Sequence, residues 1–339
     1  MIHLRIVTPS DRSERALRVL EGTESVCNVV FLAGTARRPH GDVILADVAR
    51  EDASVVISDL KELGIQHEGS ISLEVVDTQI SDHAERAIEQ ARGAPADAVV
   101  WEEVEQSTNE NVELSGVYLA FMLLAGLLAM VGIYEDSPIL IVGAMVVGPE
   151  FGPLAGICVA AVERRRALAL RSALALVVGF PLAIGVVYLA ALLFKETGLF
   201  DDTFSIEGHS LSNIISQPDF FTFFVAACAG AAGMLSLSTA KSGALIGVLI
   251  SVTTIPAASN IGVSAAYRDW STMGGSAAQL GINLGSILLS GTAVLYVQRL
   301  LYVRRKARHK ADVGRPVRPT TPATTRSRPW SAPSRSRRP

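Results

Sequence analysis

The first eighty residues alternate short apolar runs with polar turns, and these runs follow two different periods. Ile2, Leu4 and Ile6 are separated by single residues, which predicts a strand with one buried face. Residues 11–22 then have the period of an amphipathic helix that ends at Gly22, a residue that often terminates helices. A strand followed by such a helix predicts the start of an α+β domain.

Four further elements complete this region. Strand patterns cover residues 26–33 and 43–48, and a turn with proline and glycine joins them into a hairpin. A helix is predicted from about residue 52 to 63, before a last strand over 71–76. The order βαββαβ is that of a two-layer ferredoxin-like sandwich, so residues 1–79 are predicted to form such an α+β domain. Because this fold carries many functions, its simplest role is that of a docking or oligomerisation platform.

Residues 80–113 are acidic and mostly helical in pattern, and we expect a connector that leads into the bilayer, with a solvated face and no chemistry of its own. Six apolar segments follow, each long enough to cross a hydrocarbon core, for which about 20 helical residues suffice. They are 114–134, 139–162, 167–194, 220–238, 243–266 and 273–297. This pattern predicts a polytopic α-helical membrane protein with six transmembrane helices over residues 114–303.

Composition supports a membrane location. With 49% apolar residues, 19% charged residues and a mean hydropathy of +0.36, the chain is too hydrophobic for an ordinary soluble protein of its length. The three cysteines are far apart and the histidines show no ligand spacing. We therefore expect no disulfide framework, no metal site and no cofactor.

Charge is segregated along the chain. Residues 1–113 carry 10 basic against 22 acidic side chains, 114–298 carry 7 against 10, and 299–339 carry 13 against 1. Basic connections follow the second, fourth and sixth apolar segments, and the positive-inside rule assigns that side to the cytoplasm. The N-terminal residues lack the pattern of a signal peptide. We therefore predict a multi-pass plasma-membrane protein with both termini cytoplasmic and a basic, disordered tail over 304–339, without a specific nucleic-acid partner.

The membrane region resembles itself at a spacing of 104 residues. That shift places Gly126 on Gly230, Gly143 on Gly247, Met145 on Leu249, Arg164 on Arg268 and Glu150 on Thr254. The two halves cover 114–194 and 220–300. Because each half contains three helices, the second half enters the bilayer from the opposite side, which predicts two inverted three-helix repeats.

Both halves interrupt their second helix with proline and small or hydroxyl residues. These are Gly148, Pro149, Gly152 and Pro153 in the first half and Thr253, Thr254 and Pro256 in the second. Proline lacks the N–H of the helical ladder and glycine tolerates unusual backbone shapes, so both free backbone polar groups. Such groups are buried in protein or line a cavity, and paired broken helices indicate a transporter's central site. The alternative for the glycines, which also recur at spacings of four, is close helix packing.

Glu150 falls near the middle of the second apolar segment, and packing does not explain it. A charge at that depth costs roughly 3 kcal/mol or more, so we expect the carboxyl group to be protonated, paired or hydrated. A proton or cation is its natural partner, with Thr253, Thr254, Asn260, Gln279 and Asn283 as sources of neutral oxygen ligands. The alternative is a neutral Glu150 that is hydrogen-bonded to the opened backbone.

Several of these residues carry a family resemblance. Residues 143–153, together with 229–233 and Asn283, resemble the hydrophobic domain-of-unknown-function family numbered 389. The resemblance covers most of residues 100–300. It implies an integral membrane protein of prokaryotes, often with a soluble N-terminal domain, and no settled substrate. The chain departs from the family pattern at Glu150, where an apolar residue is usual, and at Pro256, which stands alone where a proline pair is common.

Two classes of function follow from these features. We expect a secondary transporter or channel for a small solute or ion, with its site between broken helices two and five and Glu150 binding a proton or cation. The alternative is a membrane-anchored sensor or scaffold whose cytoplasmic N-terminal domain signals or oligomerises. An enzyme is not expected, because the sequence has no nucleophile, zincin, P-loop or dinucleotide motif. The expected partners are the lipid bilayer, the transported species and further copies of the chain.

Overall fold

The structure is a computed structural model, and it describes residues 1–76, 78–91, 98–200, 210–239 and 253–313. An N-terminal unit of strands and helices packs against one end of a larger helical unit. Each unit has a hydrophobic core of its own, and the candidate site lies in the helical unit.

The N-terminal unit, residues 1–76, is called the head. Its elements are β1 (Ile2–Thr8), α1 (Ser10–Glu21), β2 (Val26–Arg37), β3 (His40–Val48), α2 (Arg50–Glu62), α3 (Ile65–Glu68) and β4 (Ser70–Val75). The four strands form one antiparallel sheet in the order β2-β3-β1-β4. All predicted strands and helices are present in the predicted order. The hairpin strands are longer than predicted, because pairing continues to Arg37 and His40 at the turn.

The burial of every second residue in β1 explains how the sheet of the head packs. Ile2, Leu4 and Ile6 of β1 are fully buried, and their cluster includes Leu20 of α1 and Leu60 of α2. Burial of each such aliphatic side chain contributes about 1.5–3 kcal/mol relative to exposure. Both long helices therefore cover the same face of the sheet, as their apolar stripes require.

Two helices of the connector follow, α4 (Asp82–Gln90) and α5 (Trp101–Asn111). The hydroxyl of Ser81 caps α4 by accepting from the N–H of Ala84. The predicted helical and acidic connector thus contains two short helices, of which α5 leads into the helical unit.

The helical unit contains eight described helices. They are α6 (Gly116–Tyr134), α7 (Pro138–Val147), α8 (Phe151–Glu163), α9 (Arg166–Glu196), α10 (Ser210–Ser216), α11 (Phe220–Ser238), α12 (Thr254–Ala266) and α13 (Trp270–Val313). Among the described residues, α6, α9, α11 and α13 are individually long and apolar enough to cross a membrane. The pair α7 and α8 gives a fifth span if its two bent parts are counted together. The sequence predicted six, and its fifth segment begins at residue 243, outside the described residues.

Large apolar side chains cover the outside of these helices. Val117 of α6, Leu170 of α9 and Phe221 of α11 are 66–70% exposed. Exposure of this kind on several long apolar helices is unfavourable in water and favourable in hydrocarbon. The helices therefore indicate a membrane protein.

Helix α13 differs from its prediction at both ends. The apolar pattern predicted a helix over 273–297 and a disordered tail from residue 304, whereas α13 begins at Trp270 and continues to Val313. Its last turns are held by the head, since Arg305 donates to the backbone oxygen of Glu51 at 2.7 Å. This contact between distant segments cannot be inferred from the hydropathy of the sequence. The rest of the predicted tail, residues 314–339, lies outside the described residues.

Candidate functional site

The first predicted break is present in the helical unit. Helix α7 ends at Val147 and α8 begins at Phe151, and the two axes differ by 50°. Gly148 leaves the helical conformation with ψ of 127°, and Pro149 has no N–H to continue the ladder. Pro153 is the third residue of α8, where the backbone N–H would lack an intrahelical partner in any case. The second proline therefore starts the new helix without breaking it.

The start of α12, where the second break is predicted, resembles the start of α8. Helix α12 begins at Thr254, directly after Thr253, and Pro256 is its third residue. Both α8 and α12 contain 13 residues. An arginine with positive φ directly follows α8 (Arg164, 57°), and another is the second residue after α12 (Arg268, 58°). The residues just before Thr253 are outside the described part of the chain.

Glu150 lies in the first break, directly before α8, and faces the start of α12. The residue is only 5% exposed, and its Oε1 accepts a hydrogen bond from Thr254 Oγ1 at 2.6 Å. Its Oε2 has no hydrogen-bond partner among the described residues. The carboxylate folds back over Gly148, where a Cβ would overlap Oε2 and would lie 2.7 Å from Cγ1 of Ile255. The absence of a side chain at 148 is therefore what makes room for the carboxylate.

Two amides of α13 extend this polar cluster. Asn283 donates from Nδ2 to Thr253 Oγ1 at 2.9 Å, and Gln279 donates from Nε2 to the same oxygen at 3.5 Å. Both amide residues are buried, and Oε1 of Gln279 has no donor within the described ranges. We call Glu150, Thr253, Thr254, Gln279 and Asn283 the break site.

The break site contains acceptors without matching donors. Glu150 Oε2 and Gln279 Oε1 are both buried, and none of the described Lys or Arg side chains forms an ion pair with Glu150. A buried polar atom that lacks a partner costs about 1–3 kcal/mol. A proton on the carboxylate or a small cation among these oxygens removes that cost, and hard cations prefer oxygen ligands. The arrangement is thus suited to binding positive charge.

Asn260 has other partners. Its Oδ1 accepts from Ser212 Oγ at 2.9 Å, and its Nδ2 donates to Ser276 Oγ at 2.9 Å and to the backbone oxygen of Ser212 at 3.3 Å. These bonds join α10, α12 and α13 and satisfy the amide. The structure therefore brings together Glu150, Thr253, Thr254 and Asn283 of the predicted site residues, but places Asn260 in a separate network.

The remaining predicted residues shape the backbone. Gly148 and Pro149 form the first break, Gly152 and Pro153 lie in the first turn of α8, and Pro256 lies in the first turn of α12. Sequence reasoning missed Ile255, which packs against Gly148, and Ser212 and Ser276 around Asn260. Apolar and serine residues are too frequent in membrane helices to mark such contacts. Within the described ranges, no three His, Cys, Asp or Glu side chains are grouped to hold a metal ion.

The head contacts the helical unit through α2, α5 and the end of α13. Arg50 of α2 forms a bidentate ion pair with Glu103 of α5, with contacts of 2.5 and 3.3 Å. Arg299 of α13 lies 5.0 Å from the ring centre of Trp101 and 5.1 Å from that of Tyr302. Because Gln279 and Asn283 are also on α13, one continuous helix joins the head to the break site.

Comparison with known proteins places this region in a family. A family model described as a domain of unknown function, DUF389, matches residues 145–289, which include the break site. The uncharacterised protein MJ0678 of Methanocaldococcus jannaschii is 25% identical over 166 residues, covering 47% of each chain. The chain thus spans about half the length of this curated relative. No solved structure matches the chain.

Proposed function

We propose that this chain, which belongs to the DUF389 family of unknown function, is a secondary transporter or channel for a small solute or ion. Its site is the break site, where Glu150 binds a proton or cation. The observation that carries this proposal is the buried carboxylate with one oxygen bonded to Thr254 and the other without a described partner. A packing defect alone does not require an acid, because a neutral residue fills the same space without the cost of a buried charge.

The proposed architecture has six transmembrane helices in two inverted three-helix repeats. Support comes from the two 13-residue helices α8 and α12, which both carry proline as their third residue and both end within two residues of an arginine with positive φ. Transporters with inverted repeats bind their substrates where two such discontinuous helices meet. In this arrangement α7 with α8 is helix two, and α12 is the end of helix five.

The proposed orientation places the head in the cytoplasm of a plasma-membrane protein. The basic turn between α8 and α9 and the basic end of α13 lie on the head side, which the positive-inside rule assigns to the cytoplasm. The strand order β2-β3-β1-β4 with two helices on one face supports a ferredoxin-like head. We propose that the head regulates transport or assembles copies of the chain, and we assign no enzymatic chemistry to it.

A reconstituted flux assay tests the proposal. Purified full-length protein is placed in liposomes that contain a pH-sensitive dye, and proton flux is followed under sodium, potassium and proton gradients. We expect Glu150→Gln to reduce the wild-type flux at least tenfold, because an amide binds neither a proton nor a cation as a carboxylate does. The matched control is Glu135→Gln, which removes an exposed carboxyl group outside the site. Equal flux in Glu150→Gln and wild type contradicts the role of Glu150.

A second candidate function is a membrane sensor or scaffold, and the docked head favours it. The head is fixed to α13 by Arg305 and Lys306, and an anchored signalling module needs such a contact. This alternative is supported if the wild-type protein carries no current on a solid-supported membrane under any of these gradients and the head still binds further copies of the chain. A current that disappears in Glu150→Gln supports transport.

A further inference from the structure

A basic groove lies at the turn between α8 and α9, away from the break site. Its volume is about 350 Å³. The residues around it are Ile157, Ala160 and Ala161 of α8, Arg164, Arg165 and Arg166 of the turn, and Ala169 of α9. One end of the groove is therefore cationic, and its walls along the two helices are apolar.

The charge at the mouth of the groove is not balanced by the described residues. Arg165 forms an ion pair with Glu105 of α5, and the nearby Glu163 lies 4.0 Å from Arg299. Arg164 and Arg166 are exposed and form no ion pair with any described carboxylate. Two arginines thus remain available to an anion from outside the protein.

The position of the groove determines what kind of anion reaches it. Arg165 contacts α5, so the turn lies on the head side of the helical unit, while Ala169 belongs to α9, whose outer face is apolar. Leu170 beside the groove is 70% exposed, as expected for a side chain in contact with lipid. A ligand that fills this space needs a negative head for the arginines and a hydrocarbon chain for the walls.

We propose that this groove binds one anionic phospholipid of the head-side leaflet. Its phosphate lies between Arg164 and Arg166, and the start of one acyl chain lies along Ala161, Ala169 and Ile157. Arginine matches phosphate through paired N–H donors, and basic pockets between membrane helices bind anionic headgroups. The positive-inside rule accounts for arginines in this turn, but it requires neither a groove nor apolar walls beside them. This proposal does not depend on transport.

Lipid binding to the full-length protein in detergent tests the proposal. Delipidated protein is titrated with short-chain phosphatidylglycerol or phosphatidylcholine, and binding is measured by native mass spectrometry and by the shift in unfolding temperature. We expect tighter binding of phosphatidylglycerol. Each basic side chain near a membrane surface contributes about 1 kcal/mol, so removal of two arginines weakens this binding by about 30-fold.

The variant Arg164→Asn/Arg166→Gln removes both charges and keeps a residue that tolerates positive φ at position 164. The matched control is Arg304→Gln, which removes an exposed arginine from the same side of the protein outside the groove. A second variant, Ala161→Trp, fills the groove and leaves all arginines in place. We expect both groove variants to lose the preference for phosphatidylglycerol and Arg304→Gln to keep it.

Three outcomes overturn the proposal. If the wild-type protein binds the two lipids equally, the groove does not select an anionic headgroup. If both groove variants still prefer phosphatidylglycerol, the lipid binds at another site. An equal shift with inorganic phosphate at the same concentration shows that the site binds a phosphate group without a chain. If one groove variant fails to fold, the lipid preference of the other variant tests the proposal.

Discussion

Thr254 donates a 2.6 Å hydrogen bond to Glu150 across 104 residues of sequence. This bond joins the first residue of α12 to the residue that precedes α8, so these two helices meet at their starting turns. The same spacing of 104 residues places Glu150 on Thr254 when the sequence is compared with itself. Residues at matching positions of the two halves are therefore in direct contact at the break site.

Replacement of Gly148 by alanine should displace the carboxylate. A Cβ at this position overlaps Glu150 Oε2 and lies 2.7 Å from Ile255 Cγ1, so one of the two side chains must move. We expect Gly148→Ala to reduce proton or cation flux in liposomes at least tenfold. Gly143→Ala is the matched control, because a Cβ there meets nothing within 4 Å and the position is in the same broken segment. Equal losses in the two variants contradict a local effect on Glu150.

Removal of the Thr254 hydroxyl should destabilise the protein. Thr254→Val leaves both oxygens of Glu150 without a donor among the described residues, and an unmatched buried acceptor costs about 1–3 kcal/mol. Thr254→Ser keeps the hydroxyl and should cost less than about 1.5 kcal/mol, since only a methyl group is lost. The measurement is the free energy of unfolding in mixed detergent micelles. The prediction fails if Thr254→Ser is destabilised as much as Thr254→Val.

The sequence predicted most of the elements for simple reasons. Alternating burial in β1 and helical stripes in α1 and α2 are visible as period-two and helical patterns. Gly148, Pro149 and Pro153 predicted the first break, because glycine and proline constrain the backbone wherever they occur. Such features depend on a few neighbouring residues, so they can be inferred without tertiary structure.

Other features depend on contacts between distant segments. Asn260 was expected near Glu150, but its amide bonds to Ser212 of α10, a seven-residue helix that has no clear sequence pattern. The extension of α13 beyond residue 304 depends on Arg305 and Lys306 meeting α2. Residues 304–313 are rich in charge, so local pattern alone favoured a disordered tail.

The contact between α13 and the head should be separable from the site. Arg305 donates to the Glu51 backbone oxygen, and Lys306 contacts Ser58 Oγ and forms an ion pair of 3.1 Å with Glu62. We expect Arg305→Ala/Lys306→Ala to weaken docking by about 2 kcal/mol, since hydrogen bonds to charged groups contribute about 1.5–3 kcal/mol each and exposed ion pairs little.

The measurement is hydrogen exchange of the backbone amides of α2 in the full-length protein. Loss of about 2 kcal/mol corresponds to roughly 30-fold faster exchange where opening of this contact limits the rate. Arg304→Ala, at an exposed position beside the contact, serves as the control and should leave exchange unchanged. Wild-type exchange in the double variant would mean that other contacts, such as the Arg50–Glu103 ion pair and the hydrogen bond from Tyr302 to the Ser54 backbone oxygen, hold the head in place.

Acid should weaken the head through Asp42 of β3. Its carboxylate accepts hydrogen bonds from Ser13 Oγ at 2.6 Å, the N–H of Gly34 at 2.7 Å and Ser10 Oγ at 3.1 Å. The bonds from Ser13 and Gly34 hold the pKa of Asp42 below its usual value near 3.8. A carboxyl group with a lower pKa in the folded state stabilises that state above about pH 4, and this contribution is lost as the pH falls through the folded pKa.

Asp42→Asn should therefore lower the unfolding temperature of the head at pH 7, where the charged acceptor is replaced by an amide. The difference from wild type should shrink towards pH 3, because the wild-type carboxyl group becomes protonated and loses the same charge. Circular dichroism of the full-length protein during heating at pH 7, 5 and 3 measures both effects. Asp11→Asn is the control, since that carboxylate is 72% exposed and lies 3.9 Å from its partner Arg12. A difference between Asp42→Asn and wild type that stays constant with pH contradicts the assignment.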